Sequence, residues 1–170
     1  MTTLIIGGTG FIGRRLIPLL AQRGEEAVCM DINPQTANYS ELAKVRVLRG
    51  DISQFDDLMG VMTEVKPDRV INLAYYISSD LPPRVAFKLN ILGMDNCFEA
   101  ARLAGCNRVV YASSVAVSGE QKFYGERIVK KTISSTVICN TRCTRFSTSG
   151  RRRITAKSTA WRSRRSARPM

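Results

Sequence analysis

Short apolar runs alternate with longer amphipathic stretches through most of the chain. Leu4-Ile5-Ile6 is an apolar run that stops at glycines, which predicts a buried strand. From Phe11 to Gln22 the apolar residues fall at helical spacing and the pattern closes at Gly24, which predicts a helix with a possible kink at Pro18. Ala27-Val28-Cys29-Met30 predicts a second strand ending at Asp31, and Val45-Arg46-Val47-Leu48 a third ending at Gly50-Asp51. Ser53 is placed to cap the next helix, with Asp56 in an acidic first turn. Val70-Ile71-Asn72-Leu73 reads as a fourth strand, Pro82 to Ala104 as a long amphipathic helix stopped by Gly105, and Arg108 to Tyr111 as a fifth strand leading to Ser113-Ser114.

Strand and helix taking turns predicts βαβ units, hence an α/β fold with a doubly wound parallel sheet of about five strands and helices on both faces. Ligands of such sheets sit outside the carboxyl ends of the strands. The glycine cluster, Asp31, Asp51, Ala74 and the serine pair all fall there.

The glycine cluster, GGTGFIG at residues 7–13, lies between a strand and a helix. Gly7 permits a tight turn, Gly10 lets the backbone approach a pyrophosphate, and Gly13 lets helix and strand pack closely. Free N–H groups at the helix start face the phosphates, and the helix dipole adds to the attraction. Gly7, Thr9, Gly10, Phe11, Ile12 and Gly13 are therefore candidate cofactor contacts. The plainer alternative is a tight turn with no ligand. Asp31 can accept both ribose hydroxyls of an adenosine and would repel a 2′-phosphate, favouring NAD over NADP. Arg14 and Arg15 pull slightly the other way. Asp51 and Ile52 are candidates for the adenine, one for its amino group and one for its ring, or else a helix-entry turn.

GGTGFIG, Asp31, Gly50-Asp51-Ile52, Asn72-Leu73-Ala74, Asn90-Ile91-Leu92-Gly93 and Val110-Tyr111-Ala112-Ser113-Ser114 follow one another as in the extended short-chain dehydrogenase/reductases. The chain resembles the NAD-dependent epimerase/dehydratase group of that family over roughly residues 3–129. The resemblance implies a Rossmann fold with NAD across the strand ends. It implies that Leu73, Ala74 and Tyr75 line the nicotinamide side, that Asn90 braces the site, and that Ala112 and Ser113 lie beside the cofactor. Ser114 would hydrogen-bond the reacting oxygen of a small-molecule substrate. A homodimer is usual in the family.

The family's chemistry needs a tyrosine with a lysine four residues later, one helical turn away, so that the lysine's charge lowers the phenol's pKa. No tyrosine here has that partner. Tyr39 is followed at that distance by Ala43, Tyr75 by Ser79, Tyr76 by Asp80, Tyr111 by Val115 and Tyr124 by Ile128. The pair belongs where Cys139 to Phe146, CNTRCTRF, stands. The genetic code offers a reason. With codons built from the last base of one triplet and the first two of the next, the Asn140/Thr141 junction reads only tyrosine or histidine. The Thr144/Arg145 junction can read lysine, and the stretch can spell Tyr-Ala-Met-His-Lys. The same shift can turn Lys130 to Ser134 into Glu-Asp-Asp-Phe. The sequence is therefore expected to leave its ancestral frame near residues 127–131.

Charge points the same way. The chain's 170 residues carry a net charge of +12, but residues 1–126 hold 13 Lys/Arg against 14 Asp/Glu, whereas residues 127–170 hold 13 Lys/Arg and no acid. Residues 1–129 are thus expected to be a partial NAD-binding domain. Residues 130–170 are expected to be a basic, largely disordered tail, without the substrate lobe and with little or no turnover. Two other readings remain open: a non-catalytic NAD-binding regulator, and a basic-tail nucleic-acid binder. No specific nucleic-acid partner is favoured. Cys29, Cys97 and Cys106 sit in apolar patterns and are expected as buried thiols. Cys139 and Cys143 have no histidine in the chain to complete a common zinc site, so no metal is expected. No run is long and apolar enough to span a bilayer and no secretory signal is evident, so a cytoplasmic protein is expected.

Overall fold

Five parallel strands form one sheet in the order β3-β2-β1-β4-β5. They are β1 (Thr2–Ile6), β2 (Glu26–Asp31), β3 (Val45–Arg49), β4 (Arg69–Asn72) and β5 (Arg108–Tyr111). The computed structural model describes residues 1–77, 80–113, 125–126 and 128. The chain forms two compact units, Met1–Ala112 and Ser113–Met170, and the sheet lies wholly in the first. The expectations for Ser114, for the CNTRCTRF segment and for a disordered tail lie outside the described residues.

The apolar runs form strands for a simple reason: the central ones are buried on both faces. Leu4, Ile5, Val28, Cys29 and Val70 have no exposed surface, and Ile6 has almost none. Side chains alternate across the sheet, so each strand feeds two cores. Leu4, Ile6, Val28, Met30 and Val70 pack with Leu58, Val61 and Met62 of α2 (Phe55–Val65) and with Cys97, Ala100 and Ala101. Ile5, Ala27 and Cys29 point the other way, onto Ile17 and Leu20 of α1 (Gly13–Gln22) and onto Tyr39. Burying one Leu or Ile of this kind is worth about 1.5–3 kcal/mol. The outer strands are wetter: Val47 on β3 and Val110 on β5 are partly exposed.

The helix predicted from Phe11 begins two residues later, at Gly13, because the glycine turn occupies the intervening positions. It runs through Pro18, and the chain turns away from it at Gly24, whose φ of 72° favours a residue without a Cβ. The long amphipathic helix is present as α3 (Pro83–Phe87), a wider π-helical turn (Lys88–Leu92) and α4 (Gly93–Leu103), with helical backbone at each junction. Ser53 does not cap α2. Gln54 stands at its N-terminus with no side-chain cap, and the Asp51 carboxylate instead accepts the Ser53 N–H at 2.8 Å. Asp56 and Asp57 do occupy the first turn.

Cys29, Cys97 and Cys106 are buried free thiols. Burial pushes the Cys97 thiol up to about 12, with a smaller push from Cys106. The Cys29 thiol reaches about 12 for the same main reason, with the Asp31 carboxylate adding to the effect. In an unfolded chain both ionise near the ordinary value of 9.0. The folded state therefore holds more protons between these values, and its stability is expected to fall as pH rises from about 9 toward about 12. Denaturant unfolding at stepped pH checks this. Replacing both residues by alanine should flatten the decline, whatever the baseline stability of the variant.

Candidate functional site

Strand order reverses at β1, which lies between β2 and β4, so the chain leaves the two sides of the sheet in opposite directions and opens a crevice at their carboxyl ends. A cleft of about 360 Å³ occupies that place. Its walls include Gly7, Thr9, Gly10, Asp31, Asp51, Ile52, Leu73, Ala74 and Tyr75, nine of the positions singled out from sequence. Arg14, Asn33, Thr36, Tyr76 and Leu89 complete much of the rest.

The glycine turn is shaped by contacts that tolerate no side chain. Gly7 has φ 75°, and a Cβ on it would lie 2.7 Å from the Ala74 nitrogen. A Cβ on Gly13 would lie 2.1 Å from the Gly8 carbonyl oxygen, so Gly13 lets the helix start close on the turn itself. Gly8, not singled out from sequence, packs as tightly: its Cβ would meet the Cys29 sulfur at 2.6 Å. Gly10 is less constrained, with the Gly7 carbonyl at 3.2 Å from the position of its Cβ. At the head of α1 the Phe11 and Ile12 N–H groups have no acceptor among the described residues. Their side chains are largely exposed and lie outside the cleft lining, with the Arg15 guanidinium 4.4 Å over the Phe11 ring.

Asp31 ends β2 beside this turn. One carboxylate oxygen accepts the Thr9 N–H and the other the Asn33 N–H, each at 3.1 Å. A carboxylate offers about four lone-pair directions, so both oxygens keep capacity for a ligand hydroxyl. Across the cleft, Asn72 is almost fully buried. Its side-chain oxygen accepts the Ala74 N–H at 3.0 Å, turning the chain sharply after β4 and setting Leu73, Ala74 and Tyr75 along the wall. Asn90, in the π-helical turn, meets the Tyr76 backbone on both sides. It accepts the Tyr76 N–H and donates to the Tyr76 carbonyl, both at 2.8 Å. The side chain thus stands in for a neighbouring strand and fixes the segment after β4. Ile52 is buried and lies against Gly93, where a Cβ would be 3.0 Å from its Cγ2. Ala112 donates its N–H to the Asn72 carbonyl at 3.4 Å, Ser113 is exposed in the second unit, and Ser114 lies outside the described residues.

Residues 3–153 match the NAD dependent epimerase/dehydratase family. The chain belongs to that family. The match continues past residue 129, into the segment where the sequence pattern loses the tyrosine–lysine pair. A UDP-glucose 4-epimerase of Mycolicibacterium smegmatis is 37% identical over 125 residues, covering 67% of this chain and 39% of the relative. One from Lacticaseibacillus casei is 30% identical over 126 residues, covering 72% of the chain and 38% of the relative. The crystal structure of a Thermus thermophilus UDP-glucose 4-epimerase, a complex with NAD, superposes with a TM-score of 0.80 at 28% identity. That superposition covers 93% of this chain and 51% of the other. The chain spans roughly two-fifths to one-half of the length of these relatives. The family's fold is the Rossmann-type sheet described above. Among the described residues no helix is long and apolar enough to cross a membrane, and no cluster of His, Cys, Asp and Glu could hold a metal ion.

Gly13→Ala tests the turn directly. The new methyl group overlaps the Gly8 backbone, which cannot rotate away as a side chain would, so a loss of about 1–3 kcal/mol in unfolding free energy is expected. Gly60→Ala, inside α2 where a Cβ meets nothing within 4 Å, serves as the control and should stabilise by about 0.5–1 kcal/mol, as alanine does in a helix interior. Equilibrium urea unfolding of both variants gives the comparison.

Proposed function

We propose that the cleft binds NAD, with the pyrophosphate received by the glycine turn and the adenosine ribose by Asp31. The observation that carries this reading is the turn itself: glycines with no room for a Cβ, two N–H groups without acceptors at a helix start, and a carboxylate at its rim. Each of these suits one part of a dinucleotide, and together they suit few other ligands. The family's dependence on NAD and the relative solved with NAD support it. Gly7, Thr9, Gly10, Phe11, Ile12 and Gly13 would hold the phosphates. Asp51 and Ile52 would border the adenine, and Leu73, Ala74, Tyr75, Ala112 and Ser113 the nicotinamide half. When bound, the dinucleotide supplies a hydride acceptor.

The substrate class is proposed from the relatives: a nucleotide sugar such as UDP-glucose, in an epimerase-type exchange. In this chain the protein's own part of that chemistry is incomplete. Ser114 is proposed to bond the reacting oxygen. The proton must move through a phenol tuned by a nearby lysine, and no tyrosine of the sequence has a lysine four residues on. We therefore propose a nucleotide-binding protein with little or no turnover. We further propose that residues from about 127–131 onward are read in a shifted frame. Support comes from the 13 Lys/Arg with no acid in residues 127–170, and from the shifted codons that restore the pair. The family match to residue 153 weighs on the other side, and the coding DNA decides. Codons 138–146 that cannot spell Tyr-x-x-x-Lys end the frame proposal and leave the nucleotide reading intact.

Calorimetric titration with NAD tests the main reading. Binding is expected, and Asp31→Ala should weaken it at least about tenfold, as the loss of charge-assisted hydrogen bonds requires. No heat of binding from the folded chain would refute it. In an assay with NAD and UDP-glucose or UDP-galactose, the chain should show no interconversion above background, whereas turnover would refute the proposed inactivity.

A further inference from the structure

Four hydrogen bonds fix two successive peptide groups of the glycine turn. The Gly8 carbonyl accepts from the Tyr39 hydroxyl at 2.7 Å, and the Thr9 N–H of the same peptide group donates to Asp31 at 3.1 Å. The Thr9 carbonyl accepts from Arg14 Nε at 2.7 Å, and the Gly10 N–H of that peptide group donates to the Gly7 carbonyl at 3.2 Å. Each peptide plane is thus held at both its oxygen and its nitrogen. Two of the four partners, Tyr39 and Arg14, belong neither to the sheet nor to the turn. Tyr39 lies on the β2–β3 connection and is 6% exposed, packed with Ile17 and Cys29, while Arg14 is on the first turn of α1. Arg14 also donates to the Thr36 carbonyl, and the Thr36 hydroxyl, whose own proton goes to the Asn33 carbonyl, accepts from the Thr9 hydroxyl at 2.9 Å, tying the connection to the turn a third time.

The need for such a clamp follows from the composition of the turn. Four of the seven residues in GGTGFIG are glycine, the residue with the most conformational freedom to lose. A turn that must present N–H groups to phosphates in one shape gains affinity when that freedom is removed before the ligand arrives. Burial chiefly raises the Tyr39 pKa, so the hydroxyl keeps its proton and its role as donor at neutral pH.

We infer that Tyr39 and Arg14 are positioning residues that pre-shape the glycine turn for the phosphates of the nucleotide. This rests on the proposed nucleotide site. It adds two side chains that touch the turn's carbonyls and need not touch the ligand. Arg14 Nε and Nη2 are engaged by the Thr9 and Thr36 carbonyls, so its hold on the turn does not depend on a ligand.

The experiment uses the full chain and the variants Tyr39→Phe and Arg14→Gln, with two readouts. In the ligand-free protein, amide hydrogen exchange at Thr9 and Gly10 should accelerate about tenfold in each variant, as expected when a holding hydrogen bond is lost. In calorimetric titrations, affinity for ADP should fall about tenfold while affinity for adenosine, which has no phosphate, stays within about twofold. A variant that merely loosens the fold would lower both ligands together, and that result overturns the inference. So does unchanged exchange at both amides in both variants. An unaltered chain that binds neither ADP nor NAD sinks the nucleotide reading, while the exchange measurement still decides for or against the clamp.

Discussion

Where β1 ends, the backbone has no room for side chains, and the rest of the site is arranged around that constraint. The Gly7 Cα faces the Ala74 nitrogen, and Gly13 closes on the Gly8 carbonyl. Gly8 itself rests on Cys29, which the core holds from below. Turn, fourth strand and first helix therefore meet through backbone contact, and the second strand meets the turn through the Cys29 side chain and the bond from the Gly7 N–H to the Met30 carbonyl. A larger residue at Gly7 or Gly13 would have to push backbone aside. The close approach leaves the N–H groups at the start of α1 facing outward and sets the Asp31 carboxylate beside them.

The two cores serve that geometry unequally. On one face α2 and α4 cover Leu4, Ile6, Val28, Met30 and Val70 with closely packed apolar side chains. On the other, α1 and Tyr39 cover Ile5, Ala27 and Cys29 in a smaller cluster. Tyr39 is therefore both core and site: its ring fills the smaller cluster and its hydroxyl reaches the glycine turn. Asn90 and Asn72 play a comparable part on the opposite wall: Asn90 gives both ends of its amide, and Asn72 its amide oxygen, to the backbone of the segment after β4. Polar side chains buried in this way are stable only when their bonds are made. Their near-complete burial fits walls that are set before any ligand enters.

Much of this was legible in the residue pattern. Runs such as Leu4-Ile5-Ile6 and Val70-Ile71, short and bounded by turn residues, read as central strands. GGTGFIG announces the turn, and Asp31 follows at the distance that one βαβ unit requires. What was not legible depends on partners far apart in sequence. Nothing local to Tyr39 says that its hydroxyl reaches Gly8, 31 residues away. Gly8 looks like a spare glycine until Cys29 is placed beneath it. Ser53 has the right chemistry for a cap and loses the place to Gln54, because the Asp51 carboxylate ties the loop back first. The π-helical turn at Lys88–Leu92 has no periodic signature, yet it carries Asn90. At Gly13 the tightest approach is to the Gly8 backbone, a partner that spacing alone does not name.

The central claim is that a carboxylate held beside a clamped glycine turn reads a ribose diol and repels a 2′-phosphate. The ratio of the dissociation constants for NAD and NADP, measured on the unaltered chain under one set of conditions, tests this most directly, because any general weakness of the site cancels from the ratio. NAD is expected to bind at least about tenfold more tightly, since placing a phosphate dianion against a carboxylate costs on the order of a kcal/mol or more. Equal affinities, or tighter binding of NADP, would contradict the account.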